Sequence, residues 1–276
     1  MYHNLKTKSM GLSKKQMEFL DKFAKGRWTF KEETGLVDIE GDFDCSRNRI
    51  ERNYYGGVKA VSDFEGVKFG VVTGSFYCLH NTIKSLKGAP QDVGGNFNCS
   101  HNKLTSLEGA PQRVGGDFDC LRNKITSIKG APQEIGGDFF CSSNKITSLE
   151  GSPQRVRRFF GCSNNNLTSL VGGPKEVDDF SCDDNPLTSL VGAPQVVSGY
   201  FTCTNTKLTS LEGAPLDWKG NYSSFYRNPI SEDTINLVWK KMREDKIDYR
   251  TALISLKGEI PAKDWKKMTS ALEEAI

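Results

Sequence analysis

Eight cysteines stand at positions 45, 78, 99, 120, 141, 162, 182 and 203 of the 276-residue chain. Thiolates can ligate soft metals, attack electrophiles or pair as disulfides, and the spacing chooses among these. Zinc sites typically bring C-x-x-C pairs or nearby histidines, whereas no two of these cysteines lie closer than 20 residues in sequence. From Cys78 onward the steps are 21, 21, 21, 21, 20 and 21. A residue locked to a period is doing a packing job. In-register parallel side chains are also poorly oriented for bridging, so the spacing predicts a ladder of free thiols.

The other candidates for chemistry are sparse. The histidines are His3, His80 and His101. His80 and His101 hold one repeat position, two after a cysteine, where other units carry Arg47, Arg122, Ser143 or Asp184. Such a variable polar set reads as a solvent-facing column. The acidic "DDFSCDDN" around Cys182 could attract a cation, but reads as a solvated face. "VGGDF" lacks the lysine and the strand-to-helix context of a phosphate loop and reads as a turn. With no nucleophile–base pair, the expectation is a protein that is not an enzyme, with no catalytic residue, metal or cofactor.

What must position these residues is the repeat itself. A fixed period of this size signals stacked units, none of which buries its apolar face alone. The unit reads V-x-x-x-F-x-C-x-x-N-x-L-x-x-L, followed by "EGAPQ" or a close variant. Phe118 and Cys120 alternate at the period of a strand and share one face. "KGAPQ" supplies the Gly and Pro of a return turn. Cysteine suits its place as a small hydrophobe that packs against its own copies. The asparagine, Asn123 in this unit, offers two donors and an acceptor to backbone groups freed where the strand turns a corner.

This pattern resembles the leucine-rich repeat. Phe118, Cys120, Asn123 and Ile125 fall on that family's second leucine, third leucine, asparagine and following leucine. The short unit with a proline turn looks like the bacterial effector subtype, and the "SLEGAPQ" and "GGDFDC" phrasing is similar to leucine-rich repeat proteins of tailed bacteriophages. Two departures are the Val-to-Phe interval, one residue longer than the family's, and Phe in place of leucine. The resemblance implies an α/β-type repeat solenoid: an arc with a parallel sheet and mostly irregular return segments, whose concave face binds a partner. Some bacterial effectors of this family carry a ubiquitin-ligase cysteine after the repeats. No cysteine follows Cys203, so that activity is not carried over.

The chain divides into three parts. Residues 1–35 read as an N-terminal capping helix and lead-in, with Ser13 and Gln16 at capping-box spacing, an apolar side of Met17, Phe19, Leu20 and Phe23, and Trp28 and Phe30 behind. Residues 36–230 read as the solenoid, about nine turns, beginning with Ile39, Phe43, Cys45, Asn48 and Ile50. Cys45 to Cys78 is 33 residues, so an insertion near 51–66 is expected to loop out or form a hairpin. Thr206 replaces one asparagine, and "GNYSSFYRNPI" reads as a degraded last turn. Residues 231–276 read as a C-terminal helical cap, with a separate binding module as the alternative. Ser231 is the expected N-cap, with Glu232 and Asp233 in the first turn. Ile235, Val238, Trp239 and Met242 share a face, as do Trp265, Met268 and Leu272 in the last helix.

Composition narrows the function. Charged residues make up 26% and hydrophobic ones 37%, and the net charge is +3. No run approaches the roughly 18 apolar residues of a spanning helix, and no apolar stretch follows the basic start. The expectation is a cytoplasmic protein away from membranes, in the host cytoplasm if phage-encoded. Strand alternation turns Tyr77, Leu79, Leu121, Phe140 and Phe159 outward, an apolar set of the kind that marks interaction sites, although scattered apolar residues on a sheet need no ligand. His80, His101 and Arg122 accompany them in early turns, and Asp179 and Asp183 in late ones, a gradient that would orient a partner. The leading reading is a protein-binding face centred on Phe140 and Phe159, its partner a bacterial host protein under the phage resemblance. The alternatives are a structural virion or assembly part, and nucleic-acid binding through the basic ends. Residues 1–31 hold eight Lys or Arg against two acids, but no interleaved rings offer stacking platforms, so nucleic acid is not the expected partner.

Overall fold

A computed structural model describes residues 11–47, 59–220 and 223–273. The core Phe of each unit lies in the first or second place of a short strand, and these strands stack in parallel. Phe76–Tyr77, Phe97–Asn98, Phe118–Asp119, Phe139–Phe140, Phe159–Gly161, Asp179–Ser181 and Phe201–Thr202 follow one another, with Phe43–Asp44 before them and Ser223–Ser224 after, in one nine-stranded sheet. Its seven inner strands belong to complete coils. The count of about nine turns is therefore corrected to about seven, the outermost strands being closed by the ends of the chain rather than by further coils.

A second row of parallel strands departs from the expected irregular return. Asp92–Val93, Arg113–Val114 and Glu134–Ile135 stack on Phe69–Val72 and Leu36–Glu40, with Arg27–Lys31 antiparallel at the edge. Bridges Ile135–Val156 and Arg155–Glu176 carry the row on into Glu176–Val177, Val196–Val197 and Asp217–Trp218. Among the described residues the coils contain no helix. The α/β-type expectation is thus corrected to a two-sided parallel β-solenoid. Corners after nearly every pair of bonded residues keep its strands short.

The core is a set of ladders. Phe97 and Phe118 stack 5.4 Å apart with planes 6° from parallel, and Phe118 and Phe139 at 5.6 Å and 10°. The series continues through Phe160 and Phe180 to Phe201, all fully buried. Each such side chain contributes about 1.5–3 kcal/mol on burial. The cysteines form a parallel ladder beside the rings, and all eight are free and buried.

Both ends are closed by helices. Helix α1 (Lys14–Phe23) has the expected capping box between Ser13 and Gln16 and packs Phe19 and Phe23 on Phe43, the first ring of the ladder. At the other end, helix α2 (Glu232–Asp245) starts at Ser231, whose hydroxyl accepts from the N–H of Thr234. It sets Trp239 against Phe201, Phe225 and Trp218. Helices α3 (Tyr249–Ser255) and α4 (Ala262–Glu273) follow, with Asp264 of α4 taking the hydroxyls of Ser231 and Thr234. Trp265 and Met268 pack inward, while the side chain of Leu272 lies outside the described residues.

Within the insertion, 51–58 lie outside the described residues, as do Asn48, Ile50 and the first part of the basic start. The described limb, 59–66, is anchored at two points. Phe64 is buried against Phe69 and Phe76, and the N–H of Val61 binds Asn81 Oδ1 at 3.0 Å.

Candidate partner-binding face

The outward face begins at the corner that ends each Phe strand. There the asparagine side chain turns inward. Asn144 Nδ2 donates to the carbonyls of Cys120, Cys141 and Ser142, and its Oδ1 accepts the N–H of Ile125. Asn102, Asn123, Asn165 and Asn185 repeat this arrangement. Thr206 interrupts it, and Asn228 of the last turn resumes it by donating to the Cys203 carbonyl at 2.7 Å. The residue before each asparagine is held in the left-handed region: His80, His101, Arg122, Ser143, Asn164, Asp184 and Asn205 all have φ between 51° and 58°. These are corner residues rather than members of the strand face, which corrects the expected placement of His80, His101 and Arg122. The rings of His80 and His101 stand 4.1 Å apart and are half-buried, while Arg122 is exposed.

A second side-chain ladder runs along the start of the Phe strands. Where the residue before the core Phe is Asn or Asp, its side chain accepts the N–H of its counterpart one coil on. Asn96 takes Asp117, Asp117 takes Asp138, Asp138 takes Phe159, and Asp179 takes Tyr200. Arg158 reinforces this line, reaching Asp117 at 3.0 Å and Asp138 at 3.3 Å. Asp179 therefore serves as a brace. So does Asp183, whose carboxylate accepts the N–H of Thr204 and the hydroxyls of Ser181 and Thr202.

The apolar residues share this face, Phe159 and Tyr200 within the second ladder's own position. Phe140 and Phe159, in adjacent coils, meet with ring centroids 5.3 Å apart. Phe159 lies over Gly161, where an added Cβ would fall 2.5 Å from its ring. Tyr200 extends the cluster, 6.1 Å from Phe159 and 39% exposed. Burial, together with the charges of Asp179 and Asp138, pushes its phenol above the ordinary value. Tyr77, Leu79 and Leu121 are half-buried on the same face. Tyr77 pairs in register with Asn98, and Asn98 with Asp119, so polar coils separate it from Phe140. The structure thus joins Phe140 and Phe159 and leaves Tyr77 and Leu79 apart. Tyr200 and Arg158 were missed in the sequence, although Tyr200 holds the same position before its core Phe as Phe159 does.

The thiols face away from this surface. Burial, foremost, pushes seven of them well above the ordinary value. Cys141 Sγ donates to the carbonyl of Gly161 and Cys120 Sγ to that of Phe140, each at 3.3 Å. A protonated, enclosed sulfur is a poor nucleophile. Among the described residues no group of three or more His, Cys, Asp or Glu is arranged to hold a metal ion, and no helix is long and apolar enough to cross a membrane. Comparisons of the chain with protein-family models, with curated proteins and with solved structures find no match.

Proposed function

We propose that this solenoid is a non-enzymatic protein-binding module of the leucine-rich repeat type, and that its partner docks on the outward face of the Phe sheet. The observation that carries the reading is the aromatic cluster of Phe140, Phe159 and Tyr200. Rings held part-exposed on a rigid sheet lose little freedom on binding and are over-represented among binding hot spots. Braced polar side chains, among them Asp117, Asp138, Asp179 and Asp183, border the cluster. The short-repeat phrasing of the sequence supports a phage-encoded protein acting in the host cytoplasm, blocking or recruiting a bacterial factor.

The test compares wild type with a Phe140→Ala/Phe159→Ser variant as baits in bacterial lysate. Both rings are outside the core, so the variant should keep its melting transition to within a few degrees and lose the captured protein. A folded variant that retains the same protein at full yield would falsify the reading.

A further inference from the structure

Charge alternates along two exposed columns of this solenoid, and a third row breaks with that pattern. Each repeat position becomes a column, with neighbours about 4.8 Å apart. One exposed column reads Asp92, Arg113, Glu134, Arg155, Glu176, and Arg113 pairs with Asp92 at 3.3 Å and with Glu134 at 3.7 Å. Another reads Lys87, Glu108, Lys129, Glu150, with Lys129 paired to Glu150 at 3.2 Å. Signs alternate, as favourable cross-strand pairing requires. The position after the ladder asparagine does not alternate. It carries Lys103, Lys124 and Lys145 in three successive coils, all exposed. Their N–H groups bind the carbonyls of Ile83, Leu104 and Ile125 in the coils before, which fixes the three in one row. None of the three forms an ion pair among the described residues. Across the corner, the residue before the asparagine adds His101 and Arg122 in the same coils.

From this row we infer that the corner is the docking ridge for an acidic segment of the partner protein. The inference rests on the protein-binding reading above and extends it to the chemistry of the partner. Like charges stacked in register repel. The alternating columns neutralise themselves, and Arg158 neutralises the stacked pair Asp117 and Asp138, whereas the counter-charge of the lysine row is left to a ligand. A long polyanion such as nucleic acid fits less well. Further along the same corner the charge reverses at Asp183 and Asp184, so a long strand would run from the basic row onto like charge. A short acidic stretch, ending before that reversal, matches the length of the row.

The experiment is a fluorescence-anisotropy titration of the full chain at low ionic strength, with a short labelled poly-glutamate peptide as probe. Wild type should bind it, and a Lys103→Gln/Lys124→Gln/Lys145→Gln variant should bind about tenfold more weakly. A charge-matched control, Lys240→Gln/Lys246→Gln/Lys263→Gln in the terminal helices, should bind as wild type does. The Phe140→Ala/Phe159→Ser variant should also bind poly-glutamate normally, which separates failure of the ridge from failure of the aromatic site. Lys124→Gln alone, expected to weaken binding about twofold, covers the case in which the triple variant folds poorly. The inference is overturned if wild type ignores the probe, if the control loses as much as the ridge variant, or if labelled single-stranded DNA of equal charge binds more tightly than poly-glutamate.

Discussion

Asn144 donates its side-chain N–H to the carbonyl of Cys120, one coil back, at 3.0 Å. That bond joins coils at the corner where the strand has ended, beside the backbone bonds that continue there. The same amide serves two carbonyls of its own coil and accepts the N–H of Ile125. Leucine at this position would fill the space and leave those groups without partners, at about 1–3 kcal/mol for each one buried. Asn144→Leu should therefore lower unfolding stability by about 2–4 kcal/mol. Asn166→Leu, an exposed asparagine in the neighbouring coil, should stay within about 0.5 kcal/mol. Urea melts of the two variants give the comparison, and equal losses would remove the asparagine ladder from the account.

The thiol ladder makes stability depend on pH in one direction. Seven folded thiols are held above the ordinary value of 9.0, chiefly by burial. Their contribution is complete below pH 9, where both states keep the proton. Above it the unfolded chain releases protons that the folded one retains, and each such thiol lowers stability by about 1.4 kcal/mol per pH unit. Several acting together predict a steep alkaline unfolding with little change between neutral pH and about 9. Circular dichroism across that range, with thiol labelling alongside, should find native thiols silent until the transition and all eight reactive after it. Stability that stays flat well past pH 10 would refute the ladder's burial.

The central ladders were legible because period and residue type agree: Phe, Cys and Asn recur at one step, and each has a single physical use there. Other features appear only once coils are superposed. The Val row forms strands of two residues, too short for alternation to register in the sequence. The left-handed corner was hidden because His80, Arg122 and Ser143 occupy it as well as the expected Asn and Asp. The alternation of Asp92, Arg113 and Glu134 is visible only when residues a whole coil apart are set side by side. The anchoring of Phe64 and Val61 was unreadable because both sit off the period.

The Gly-Gly corner sets a limit on substitution. At Gly136 an added Cβ would lie 2.0 Å from the carbonyl oxygen of Gly115, in backbone that cannot yield without shifting the coil. Gly136→Ala should cost about 1–3 kcal/mol. Gly258→Ala meets nothing within 4 Å and should be neutral or gain about 0.4–1 kcal/mol through the unfolded state. Thermal melts of both variants decide it, and a neutral Gly136→Ala would mean that the coils are not stacked this closely.

Trp239 decides whether the terminal helices are a lid on the coil or an attachment to it. Its ring covers the end of the Phe ladder, edge-on to Phe225 at 5.3 Å and stacked on Trp218 at 4.8 Å. Its indole N–H donates to the Pro215 carbonyl at 2.8 Å, and Arg243 lies over the Trp218 ring. Trp239→Ala removes the fully buried ring at the centre of that contact and should destabilise the protein by about 3–5 kcal/mol. An open coil end exposes apolar rings and unpaired strand edges, which invite association. Light scattering of the variant should then show growth with concentration that wild type lacks. A monomeric variant with an unchanged melt would make the helices a separate module, and the coil would need another closure.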